Sequence, residues 1–288
     1  MIARRDILKT GAALVVIGMA SSLPDFALAA QTGINTDNLP FTVGNRATRL
    51  FVTRVDGKKP KGVVLFSTGW SASPDDYVRL QAILAMEGFV VLAPLHVDSD
   101  DYADKATKFD QRQVFLERIA DMRAASAYAV RNYPGLPVIA AGHSFGSLIS
   151  LCEGGALANL APFRNPAVKA VLAFSSPGKV TGLIGPESYK ALTVPTMIIT
   201  GTADTVDQFV TDPKDHLYPI ETSPAGGKYA LVVAGADHAL AHGKAGFDHA
   251  LPAMRLFVEA YGLGDDKARK RLAAWHAAPG DTFTVREV

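Results

Sequence analysis

The chain has 288 residues, with 48% hydrophobic and 20% charged, and its 29 Lys and Arg nearly balance 28 Asp and Glu. This composition excludes a disordered chain. The balance removes the long-range field that binding to nucleic acid or a strongly charged polymer would use. The one basic cluster, Lys267 with Arg269, Lys270 and Arg271, is short enough to be a solvated helix face. A single cysteine, Cys152, excludes an internal disulfide and reads as a small buried apolar residue.

The first thirty residues read as an address. Arg4 and Arg5 precede Ile7, Leu8 and Lys9, an apolar run spans 11–20, and small residues surround Ala29 and Ala30. A basic start, a short apolar stretch and a small-residue cleavage site make a signal peptide. The run is too short to span a bilayer comfortably. The pattern resembles a twin-arginine signal, which implies the twin-arginine export machinery as a partner and a periplasmic or secreted product. Cleavage is expected after Ala29 or Ala30, with an uncut membrane anchor as the alternative. Removal of residues 1–29 takes away Arg4, Arg5 and Lys9 against Asp6 and Asp25, leaving a net charge near zero. Residues 31–288 read as one domain.

Strand and helix signals then alternate. Residues 41–55 alternate in a strand-like way and stop at Asp56 and Gly57. Residues 62–67 form an apolar run suited to a strand buried on both faces. Helical spacing covers 75–86, with Tyr77, Leu80 and Leu84 on one side and Gly88 as the stop. A second buried strand covers 89–93, and an acidic loop runs from Asp98 to Asp110. The longest helical pattern is 113–131, with Val114, Ile119, Met122, Ala125 and Tyr128 near one face. Strands are expected at 137–141, 168–174, 195–200 and 229–234, and helices at 147–157 and 244–261. A short helix and a terminal strand at 282–285 close the chain. Segments 175–193 and 205–227 read as long loops. The alternation predicts a mostly parallel twisted sheet with helices on both faces and a ligand crevice at the carboxyl ends of the strands.

Gly142, His143, Ser144, Phe145 and Gly146 fit the G-x-S-x-G turn that lifts a serine between a strand and a helix. The pattern alone is common, but here a buried strand enters it and a small-residue helix leaves it. A serine nucleophile needs a base, and the base needs an orienting acid. Asp204 follows the strand 195–200, and His238 follows the strand 229–234, so both fall on the same sheet edge as Ser144. Asp207 competes for the acid. Asp237 is too close in sequence to His238 to orient it. His242 and His249 sit in or near the last long helix, and His143, inside the turn, reads as packing or as support behind the reacting groups. The N–H groups of Trp70 and Phe145 are the expected oxyanion donors, with Gly69 allowing the bend before Trp70. Gly69, His96 and Phe209 are expected at the substrate pocket.

These stretches together resemble the α/β-hydrolase superfamily over about residues 40–262. The branch is the one holding dienelactone-hydrolase-like, cutinase-like polyesterase and platelet-activating-factor-acetylhydrolase-like enzymes. The likeness rests on 62–69, 84–94, the serine turn, 201–204 and 235–238. It implies hydrolysis of small or polymeric carboxylic esters through an acyl-enzyme, with no metal and no organic cofactor. Thr68 stands where many relatives carry a histidine. Dienelactone hydrolases proper use a cysteine, so Ser144 argues against that particular activity. The short acidic stretch before the long helix leaves no room for a large lid. Acyl transfer, perhydrolysis, amide cleavage and an inactive binding role stay open, as does the oligomeric state.

Overall fold

The computed structural model describes residues 33–104, 108–180 and 182–287, so the expected leader lies outside the described residues. Nine strands form one sheet: β1 (Ile34–Val43), β2 (Arg46–Val55), β3 (Gly62–Ser67), β4 (Phe89–Pro94), β5 (Val138–His143), β6 (Val168–Phe174), β7 (Thr196–Gly201), β8 (Lys228–Val233) and β9 (Thr282–Arg286). Their order is β1-β2-β4-β3-β5-β6-β7-β8-β9. The six strands from β4 to β8 run parallel, and antiparallel pairs close both edges.

Period-two alternation explains the two cores. In β3, Val64 and Phe66 face one side, and Val63 and Leu65 face the other; Ile139 and Ala141 divide from Val138 and Ala140 in the same way. Helices α1 (Val78–Met86), α5 (Phe247–Phe257) and α6 (Asp266–Ala273) cover the first side. Helices α2 (Gln111–Asn132), α3 (Phe145–Gly154) and α4 (Tyr218–Thr222) lie mainly on the second. Covered on both faces, the parallel strands carry continuous apolar runs. Among the described residues no helix is long and apolar enough to cross a membrane.

Several boundaries differ from the sequence expectation for physical reasons. The strand expected at 41–55 is two strands. Gly44, at φ +58°, opens a two-residue hairpin loop between Val43 and Arg46. Helix α2 starts earlier because Asp110 accepts from Gln113 N at 2.8 Å while Gln113 accepts from Asp110 N at 2.9 Å, a reciprocal cap. Helix α5 starts later, because Gly243 and Gly246 hold left-handed φ angles of +74° and +82°. It ends in a π-helical turn at 258–262. The loop expected at 205–227 contains a 3₁₀ turn at Pro213–Leu217 and then α4.

One buried group in α3 predicts a pH dependence of stability. Burial pushes the Glu153 carboxyl up to about 7, against the lowering effect of its bond from Asn165. As pH rises from 4.5 towards 7 the unfolded chain ionises first, so the native state loses stability across that window and does not regain it above. Glu153→Gln should therefore stabilise the protein by on the order of 2–3 kcal/mol at about pH 8 and by little at about pH 4. Thermal unfolding at the two pH values checks this, and an equal effect at both would refute it.

Candidate active site

Strand β5 runs into a turn where Ser144 holds φ +54° and ψ −122°, a conformation costly for any residue with a side chain. The structure fixes it from several directions. Ser144 N donates to Phe174 O on β6 at 2.9 Å, and Ser147 Oγ donates back to Ser144 O at 2.7 Å. The flanking glycines let the backbones meet. A Cβ on Gly146 would lie 2.1 Å from Ser67 O, and one on Gly142 would lie 2.3 Å from Gly146 O. Gly146→Ala should therefore destabilise the protein by about 1–3 kcal/mol or prevent folding. An unchanged unfolding midpoint would contradict that close approach.

From Ser144 a continuous hydrogen-bonded chain leads inward. Ser144 Oγ lies 2.9 Å from His238 Nε2, and His238 Nδ1 lies 2.7 Å from Asp204 Oδ1. Asp204 is fully buried, and Thr200 Oγ1 donates to its second oxygen at 2.6 Å. Burial alone would raise its pKa. The hydrogen bonds of His216 and His238, with the attraction of His216, outweigh it, and the carboxyl stays well below the ordinary range. Of the competing residues, Asp207 is exposed, Asp237 accepts from Ala239 N, and His249 bonds Asp281. His242 bonds the carbonyl of Asp76.

The expected oxyanion donors belong to two residues whose side chains meet. The rings of Trp70 and Phe145 stand 5.7 Å apart, and Trp70 is 49% exposed. Among the described residues neither backbone N–H is bonded to another acceptor, whereas the N–H groups of Gly69 and Ser71 are spent on Tyr77 Oη and Asp98 Oδ2. Gly69 lies buried outside the left-handed region. What it supplies is close approach, since a Cβ there would come within 3.0 Å of Tyr77 Oη.

A second chain ties the base to this loop. His143 Nε2 meets His238 O at 2.8 Å and so must carry the proton. His143 Nδ1 is then the acceptor for Tyr77 O–H at 2.8 Å, and Tyr77 Oη accepts Gly69 N–H at 2.9 Å. Burial first, then the neighbouring His238 and His242, push His143 down to about 3, so the ring is neutral as this pattern demands. His143 therefore joins His238 to the loop at Gly69.

The expectation for His96 is corrected. It has no exposed surface and forms a second Ser-His-Asp array with Ser67 at 2.9 Å and Asp121 at 2.7 Å. Asp121 is in turn paired with Arg46. Burial first, and Arg118 second, keep the His96 pKa low. Ser67 is a buried residue of the β3 ladder, with no strained turn and no access to solvent. This array holds the loop after Ser67 in place. Phe209 is 56% exposed on a turn closed by Val206 and Val210, and no bond joins it to Ser144, Asp204 or His238.

Two groups were not legible in the sequence. His216, fully buried on the 3₁₀ turn, also bonds Asp204. Arg118, fully buried on α2, bonds Thr68 O, Gly69 O and Asp98. Neither belongs to a motif; each is brought in by tertiary packing. Ligand atoms of Asp204, His216 and His238 all lie within 4.8 Å of one another, the spacing a metal ion could use. Here those atoms are joined through hydrogen bonds.

The strand order, the serine turn and the residues at the sheet edge define an α/β hydrolase. Residues 49–275 match the dienelactone hydrolase family, and the chain belongs to that family. The fold is similar to the crystal structure of TT1662 from Thermus thermophilus, with a TM-score of 0.55 over 78% of this chain and 97% of that one. At 20% identity this likeness concerns the fold alone. A search of curated proteins gave no match.

Proposed function

We propose that the protein is a serine carboxylic-ester hydrolase that works through an acyl-enzyme. The observation that supports this best is the unbroken chain from Ser144 Oγ through His238 to Asp204, beside two uncommitted backbone donors. His238 takes the Ser144 proton as Oγ attacks the ester carbonyl. Asp204 holds the Nδ1–H tautomer and stabilises the imidazolium. The N–H groups of Trp70 and Phe145 receive the oxyanion, where the loss of one such donor typically costs about 2.7–4 kcal/mol of barrier. His238 then protonates the leaving alcohol, and water repeats the sequence on the acyl-serine.

The exposed Trp70 ring beside Phe145 offers an apolar wall at the entrance, which favours uncharged acyl or aryl groups. Among the described residues no lid domain covers Ser144, which suits open access for small or polymeric esters. The leader read in the sequence would deliver the 31–288 domain to the periplasm or beyond through the twin-arginine machinery. A fluorophosphonate probe should label Ser144, and a series of chromogenic esters of rising chain length should be cleaved in preference to matched anilides. A folded protein that takes no label and cleaves no ester would overturn this reading.

A further inference from the structure

The hydrogen bonds of His216 fix its protonation state. Its Nδ1 faces the carbonyl oxygen of Ser176. Its Nε2 faces the carbonyl oxygen of Asp204 at 3.0 Å and the Asp204 carboxylate at 3.1 Å. A carbonyl oxygen can only accept, and the Asp204 carboxylate already accepts from His238 and Thr200. A neutral imidazole would therefore aim a nitrogen lone pair at an oxygen lone pair, in a place with no exposed surface and no room to turn away. Turning the ring over would leave both acceptors facing C–H groups. Only the doubly protonated ring satisfies every partner.

We propose that His216 is a resident imidazolium cation that shares Asp204 with His238, and that its charge sets the basicity of His238 in the proton relay. The inference rests on the hydrolase reading for its catalytic meaning, though the charge itself does not. His216 acts through Asp204 and is a positioning residue.

The neighbourhood supports the assignment. Burial works against a charged His216, but the hydrogen bond and the attraction of Asp204 outweigh it, and its pKa is raised. On its own turn Lys214 is exposed and Asp215 half-buried. Tyr189, packed against the following helix, has its hydroxyl spent on Gly178 O. Among the described residues, Asp204 beyond β7 and His238 beyond β8 are thus the titratable groups whose contacts reach its ring. The rings of His216 and His238 stack with centroids 6.3 Å apart. His143, 4.8 Å from His238 on its other side, is neutral. The Asp204 carboxylate thus arrives at His238 already half neutralised. A serine hydrolase with an uncompensated aspartate would bind the His238 proton more tightly and would need a higher pH to free the base.

Two measurements test this. First, ¹⁵N-resolved NMR of the histidine rings in the folded wild-type protein should show both nitrogens of His216 protonated at neutral pH. One bare nitrogen at neutral pH would overturn the assignment. Second, His216→Gln keeps a donor for Asp204 but removes the charge. The acidic limb of its kcat/KM profile, and the pH at which the His238 ring signals titrate, should both rise by about one unit or more. A folded variant that is slower at every pH with an unmoved limb would show a merely structural role and refute the proposal. Because the NMR readings need no turnover, a wild-type protein with a doubly protonated His216 and no activity on any ester would refute the hydrolase reading alone.

Discussion

Replacing Ser144 with alanine is expected to lower ester turnover by about 10⁶-fold while leaving the fold intact. Only Oγ is removed, and its partner, the half-buried His238, can bond water instead. The strained φ of Ser144 is imposed by the approach of β5, β3 and α3, so an alanine sits in the same turn. Unfolding stability should stay within about 1 kcal/mol of wild type. Asp204→Asn is expected to act differently. It should cost about 10⁴-fold through the wrong imidazole tautomer, and it should also lower stability by leaving His216 facing an amide. Turnover of a chromogenic short-chain ester, measured beside thermal unfolding, separates the two variants. Wild-type activity in Ser144→Ala would end the case for this nucleophile.

The parallel sheet was legible because each central strand is buried on both faces and reads as an apolar run, and helical spacing fills the gaps between them. The serine turn was legible because its glycines and its strand–helix setting are local. Asp204 and His238 could be singled out because each follows a buried strand directly. The hairpin at Gly44 was missed because the alternation of β1 and β2 continues across a two-residue turn. His96 was misplaced for a related reason. Following a strand end puts a residue on the correct edge but does not say whether it faces the solvent or the interior. Here Asp121, from the middle of α2, draws it inward. His216 and Arg118 carry no local signal, since their partners lie from 12 to 50 positions away and are set by the tertiary fold alone.

Arg118 supports the second large effect. Its guanidinium donates to both oxygens of Asp98 at 2.8 and 2.7 Å, and to Thr68 O and Gly69 O at 2.5 and 2.8 Å. Its carbon centre lies 4.8 Å from the centroid of the Phe145 ring. Asp98 in turn accepts Ser71 N–H at 3.2 Å. One cation thus pins the carbonyls before Trp70 and, through Asp98, the N–H after it, while packing on Phe145, the residue proposed to supply the other oxyanion donor. Arg118→Met should cost about 3–5 kcal/mol, because it strands a buried carboxylate and two loop carbonyls, and should lower the unfolding midpoint by roughly 6–9 °C. Ester turnover should fall with it, through kcat rather than KM, as the loop loses its register. Burial would raise the Asp98 pKa, but the hydrogen bond and charge of Arg118 hold it below the ordinary value. The stability due to this pair is therefore complete above about pH 4 and lost on further acidification, a loss the Met variant should not share. Removing both charges, in Arg118→Met with Asp98→Leu, should restore much of the stability because no lone charge remains buried. It should not restore turnover, since the carbonyls of Thr68 and Gly69 and the N–H of Ser71 still lack their partners. Recovery of both together would show that Arg118 serves folding alone.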